Sequence, residues 1–122
     1  MATEDATGTI PALLADLARP EWNEVLKAVG LAESWLLEAG PGAPGSDELV
    51  NALVGLSRHA KWEVRRAIAQ TAGQLQHSAF ESAIMRLAID DNARVKQAAE
   101  QAAARRRDWR SAGLLGVTEP AG

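Results

Sequence analysis

Few side chains in this sequence have the type and spacing to do chemistry. The two histidines, His59 and His77, are isolated, with no His-x-x-x-His or His-Glu-x-x-His spacing to hold a metal. Asp90 and Asp91 could work as paired carboxylates in acid–base chemistry, but they stand just ahead of a helix-forming stretch, where such residues cap. Ser57, Ser78 and Ser82 have no partner base marked by any motif. There is no cysteine, so there are no thiolate nucleophiles, thiolate metal sites or disulfides, and the chain suits a reducing cytoplasm. The run Gly40-Pro41-Gly42-Ala43-Pro44-Gly45 is glycine-rich but lacks the following Lys-Ser/Thr of a phosphate-binding loop. No catalytic residue, metal or cofactor is expected.

Binding chemistry has more to draw on. Arg105, Arg106 and Arg107, with Arg110 beside Trp109, form a basic cluster that could grip phosphates, although bases in a last helical turn also answer the helix dipole. Residues 1–57 carry nine acidic against two basic side chains, and residues 58–122 carry eleven basic against seven acidic. A nucleic-acid role for the basic half is thus the alternative reading. The acidic half and the lack of an aromatic stacking series weigh against it. Four tryptophans stand against one phenylalanine and no tyrosine. Trp22 and Trp62, each at a helix start, read as packing residues, whereas Trp35 suits packing and binding equally.

These residues must be positioned by helices, since no segment alternates with period two. Residues 1–8 read as a flexible leader, and their acidic, polar character is unlike a signal peptide. A first helix is expected from Thr9, as N-cap with Pro11 in its first turn, to Arg19, and a second from Glu21 to Ala39. Loop 40–45 follows. Ser46 is expected to cap a third helix reaching Arg58, and Trp62 to Leu75 forms a fourth. The capping-box pattern Ser78-Ala79-Phe80-Glu81 starts a fifth, and Asp90-Asp91-Asn92 ends it and caps a sixth, running from Ala93 to Arg107. Residues 108–122 read as a flexible tail. No apolar run reaches the roughly 18 residues of a membrane span, so no membrane contact is expected.

The fourth helix carries the organising pattern. Val64, Ala67, Ile68, Thr71, Ala72 and Leu75 share one helical face. The pattern returns 31 positions later at Val95, Ala98, Ala99, Ala102 and Ala103, and lies 39 positions earlier, more weakly, at Val25, Ala28, Val29 and Ala32. The preceding helices repeat in register, as Ile10, Leu14 and Leu17, then Leu49, Leu53 and Leu56, then Phe80, Ile84 and Leu87. Repetition at this period implies stacked helical units. The expected fold is an all-α solenoid of three antiparallel hairpins, about six helices, over 9–39, 47–75 and 78–107.

Val64 to Gly73 and Asp91 to Ala99 resemble HEAT repeats, in particular the short bacterial variety first recognised in phycobilin lyases. The resemblance covers about residues 9–107 and is strongest from Leu49 to Ala104. It implies that Asp91, Arg65 and Lys96 join neighbouring repeats. The first copy departs from the pattern, with Leu26 at the arginine place and Glu21 in the turn, and so reads as either a repeat or an end cap. Lyase activity is not implied, since no catalytic motif matches. The family is a scaffold serving many functions, so the resemblance implies a binding module.

In such a stack the second helices line one side, and the face opposite their core stripe is free to bind. That face holds Lys27, Leu31 and Trp35, then Arg66 and Gln70, then Gln97, Gln101 and Arg105. A polar ribbon of this kind suits a protein surface rather than a small molecule. The expected function is a non-catalytic scaffold, adaptor or regulatory subunit with a protein partner, and self-association through the repeat ends is a further expectation.

Overall fold

The computed structural model describes residues 2–40 and 42–114. Its described residues form α1 (Ala2–Leu17), α2 (Trp22–Ala39), α3 (Ser46–Gly55), α4 (Trp62–Ala72), α5 (Phe80–Leu87) and α6 (Ala93–Ser111), with one 3₁₀ turn at Leu56–Arg58 and no strand. The described residues are all-α, with six α-helices. None of the described helices is long and apolar enough to cross a membrane.

α4 packs against α2 and against α6, and α3 packs against α1 and α5, reaching α4 through the 3₁₀ turn. The reason is legible in α4 itself. Val64, Ile68 and Ala72 are wholly buried at i, i+4 and i+8, and Ala69, one step around the helix, is buried as well. A helix with neighbours on two sides needs a wider apolar arc than a surface helix, and Ala69 widens it. The equivalent residues Val95, Ala98, Ala99 and Ala102 of α6 are buried, as are Val25, Ala28, Val29 and Ala32 of α2. Alanine at these places lets the helix axes come close. Gly73 carries this furthest, since a Cβ there would lie 3.4 Å from the Cβ of Ala102.

Several boundaries differ from the sequence expectation. α1 begins at Ala2, so Thr9 is not its N-cap and Pro11 lies inside the helix. Ser46 is the first residue of α3 rather than its cap. Gly45 precedes it at φ +85°, and a Cβ on Gly45 would stand 3.0 Å from Ile10 of α1. The loop is thus pressed onto the first helix, in a conformation that favours glycine. The capping box at Ser78 does not form, because α5 starts at Phe80 after Ala79 and no side chain caps it. Leu14 and Leu56 are half-buried, while Leu13 and Ser57 take inner places. Asn92 does cap α6, its side chain accepting from the N–H groups of Arg94 (2.8 Å) and Val95 (3.3 Å). α6 outruns Arg107 by a turn. Gly113, at φ +76°, then closes the helix as Leu114 N–H reaches the Trp109 carbonyl at 2.8 Å. The rest of the expected tail lies outside the described residues.

The α4 stripe is tested by truncation. Ile68→Ala should lower the unfolding free energy by about 2–5 kcal/mol in urea titration, as large-to-small core changes do. Gln70→Ala, on the exposed side, should change it by no more than about 0.5 kcal/mol.

Candidate functional site

Two arginines build the joints that hold the second helices in place. Arg65 of α4 reaches across to the turn before α6, with Nε 2.8 Å and Nη2 3.1 Å from the two carboxylate oxygens of Asp90. Its Nη1 also donates to the carbonyls of His59 and Ala60. The resemblance implied Asp91 for this role, but Asp91 is exposed and Asp90 takes it. Asp90 also accepts from Asn92 N–H at 2.9 Å, so one carboxylate anchors the arginine and shapes the turn that starts α6. Burial alone would raise the Asp90 pKa, but the Arg65 bond, the Asn92 N–H and the Arg65 charge outweigh it and hold the carboxyl below its ordinary value.

The second joint is Arg106, which the sequence placed in an exposed basic cluster. It is only 1% exposed. Nη1 donates to the carbonyls of Ala72 (2.7 Å) and Leu75 (2.6 Å), Nη2 to that of His77 (2.7 Å), and Nε to Glu81 (2.7 Å). Arg110 donates to the other Glu81 oxygen at 2.9 Å. Glu81 is therefore the acceptor of two arginines rather than half of a capping box. The cluster is split, with Arg106 inward and Arg105 and Arg107 exposed. The signal was present in the sequence, since Arg106 continues the buried series Val95, Ala99 and Ala102 by one helical step.

The expected binding residues lie as follows. Lys27 is exposed and pairs loosely with Glu24 at 3.5 Å. Leu31 is 60% exposed, whereas Trp35 is half-buried against the core. Arg66, Gln70, Gln97, Gln101 and Arg105 are all exposed. Trp22 and Trp62 are packed against the core, and each ring also carries a cation from the following second helix or the turn before it. Lys61 lies 5.9 Å from the Trp22 ring and Arg94 5.6 Å from that of Trp62. α2 and α4 are joined by a different bond, from the Thr71 hydroxyl to Glu33 at 2.8 Å.

The structure brings three of the expected residues into one cleft between α4 and α6, of about 180 Å³. Gln70 of α4 and Gln74 of the turn after it form one wall, Gln101 and Arg105 of α6 the other, and Gly73 and Ala102 lie at its floor. Lys27, Leu31, Trp35, Arg66 and Gln97 do not line it. Arg105 stands over the Trp109 ring at 5.6 Å, which holds its guanidinium at the cleft end.

Both histidines sit beside the joints. The Nδ1 of His59 accepts from Lys61 N–H at 3.0 Å, and burial, aided by the Arg65 and Lys61 charges, lowers its pKa. His77 borders a hollow of about 500 Å³ together with Asp47, Asn51 and Gln76. Neither of its ring nitrogens has a partner among the described residues. Burial lowers the His77 pKa, and Asp47 opposes this while Arg106 adds to it. Among the described residues, no three His, Asp or Glu side chains converge as a metal site would require.

No protein-family model matches the chain, and no curated protein or solved structure does either.

Arg106→Ala should cost about 3–5 kcal/mol in chemical denaturation, because Glu81 and the buried carbonyls lose their donor. Arg106→Lys should restore only part, since an ammonium lacks the planar fork. Arg107→Ala should stay within about 0.5 kcal/mol.

The histidines set a pH dependence. Both resist protonation in the folded chain, while the unfolded chain takes up protons near pH 6.5. Stability should therefore be full above that value and fall as the pH drops through it. His77→Gln, which cannot charge, should flatten this part of a melting-temperature profile. Asp90 adds a second loss at more acid pH, below the ordinary carboxylate value of 3.8.

Proposed function

We propose that the chain is an α-solenoid of three HEAT-like hairpins and acts as a non-catalytic adaptor or regulatory subunit, holding another protein on the face formed by α2, α4 and α6. The packing order supports the solenoid, since the second helices α2, α4 and α6 follow one another and the first helices α1, α3 and α5 do the same. The Arg65–Asp90 joint supports it further, because it ties one hairpin to the next through a turn.

The observation that carries the functional reading is the state of the α4–α6 face. Arg66, Gln70, Gln97 and Gln101 are exposed, and their side chains make no hydrogen bond or ion pair among the described residues. By contrast Arg65, Arg106, Glu81 and Asp90, which lie away from that face, are all engaged within the fold. A face whose polar groups are displayed on helices fixed by buried joints has the rigidity that recognition needs. The nucleic-acid reading loses one of its cations, since four N–H groups of Arg106 point to protein acceptors.

Affinity capture from the native host, with identification of the co-purifying protein, supplies the partner. Arg66→Glu combined with Gln70→Ala should then abolish capture and leave the melting temperature nearly unchanged. Arg86→Glu, on the exposed side of α5, should leave capture intact. The reverse order would move the site to the first-helix face. Retention on duplex or single-stranded nucleic acid that weakens steeply with salt would favour the alternative.

A further inference from the structure

The α4–α6 cleft has a shape and chemistry that narrow the kind of partner. Its volume of about 180 Å³ is below the roughly 300–1,000 Å³ of a small-molecule pocket. Its lining extends from Ala69 to Gln74 on one side and from Ala98 to Arg105 on the other, so it follows the two helices for more than a turn. Its floor is small, with Gly73 and Ala102 in near contact and no side chain rising from the glycine.

The spacing of the walls is informative. Gln101 and Arg105 on α6 are four residues apart and so about 6 Å apart along the axis, while Gln70 on α4 and Gln74 in the turn that follows it line the other wall. In an extended peptide the N–H and C=O of every second residue point to the same edge, at intervals of about 6.6–6.8 Å. The mismatch per step is under about 1 Å, well within the reach of a glutamine side chain. A glutamine amide both donates and accepts, as does the N–H and C=O pair of one extended residue. The two walls face the two edges of such a chain. A bound helix would offer neither edge, since its own backbone groups are bonded internally.

Charge completes the argument. No carboxylate lines the cleft, and Arg105 stands at its edge against Trp109. Arg66 continues the α4 row one turn before Gln70, as Gln97 does before Gln101 on α6. α4 and α6 run in the same direction, since Arg65 near the start of α4 meets Asp90 ahead of α6 and Arg106 late in α6 meets Ala72 at the end of α4. The two cations therefore lie two helical steps apart, about 12 Å along the axes and close to the length of four extended residues.

We propose that the α4–α6 cleft binds an extended acidic peptide segment along the helix axes, with its main chain held by Gln70, Gln74 and Gln101 and carboxylates four residues apart held by Arg66 and Arg105. This rests on the reading of the second-helix face as the recognition surface, and it replaces a partner crossing the repeats with one lying between two of them.

The test is titration of the full chain, uniformly ¹⁵N-labelled, with the blocked peptide acetyl-Glu-Thr-Val-Thr-Glu-amide. The side-chain amide signals of Gln70, Gln74 and Gln101 should shift saturably, with half-saturation at or below about 1 mM. N-methylation of both threonines keeps the charge but removes the donors of one edge, and should weaken binding at least about tenfold. Replacing both glutamates with glutamine, or Arg105 with glutamine in the protein, should weaken it several-fold. Shifts that spread over Arg58, Arg86 and Arg107, or an affinity indifferent to N-methylation, would mean simple charge attraction and overturn the proposal. If the Arg66→Glu, Gln70→Ala variant loses its native partner while the peptide causes no shift, the extended-peptide assignment falls and the recognition face stands.

Discussion

A helix leaves its last carbonyls without partners, and a helix packed inside a fold cannot give them to water. α4 is such a helix, with α2, α5 and α6 against it. Its C-terminal end is closed by the guanidinium of Arg106, which gathers the carbonyls of Ala72, Leu75 and His77. Much of the molecule follows from that closure. α6 cannot slide or turn without withdrawing Arg106, and α5 is tied to the same group through Glu81. An arginine fits where a lysine would not, because its planar fork delivers several N–H groups in fixed directions.

Closure at one end is matched by a clamp at the other. Arg65 and Asp90 fix the start of α6 against the start of α4, and their bidentate contact is largely sheltered from water. Between the two arginine joints, α4 and α6 meet through alanine and glycine, at a distance that larger side chains would forbid. The cleft is a consequence of this geometry. Two helix rows held close at their small residues diverge above them, and the longer glutamine and arginine side chains become the walls.

The charge asymmetry acts differently from its first appearance. Of the basic residues in the C-terminal half, Arg65, Arg106 and Arg110 are paired with Asp90 and Glu81, and Arg94 stands over an indole ring. The basic character is therefore partly internal wiring. Arg66 and Arg105 are left exposed on α4 and α6.

The sequence by itself determined that the chain is helical and which faces its main helices bury. Period and face are local properties, and the series Val64, Ile68, Ala72 and Val95, Ala99, Ala102 display them without help. It also marked Asp90-Asp91-Asn92 as the cap of α6, a role that Asn92 alone takes, since a cap bonds only to its own next turn. What only the tertiary structure decided was where the long polar side chains go. Ser46, Glu81 and Asp90 all sit at places where a local capping role is available, yet Ser46 is buried at the loop, Glu81 turns to α6 and Asp90 to α4. Arg106 lies in a run of three arginines and alone faces inward. A long side chain can reach a partner 25 or more residues away in sequence, and the buried carbonyls that attract it exist only once α4 has been enclosed. Composition and spacing mark the candidates, and the packing of α5 and α6 around the end of α4 selects among them.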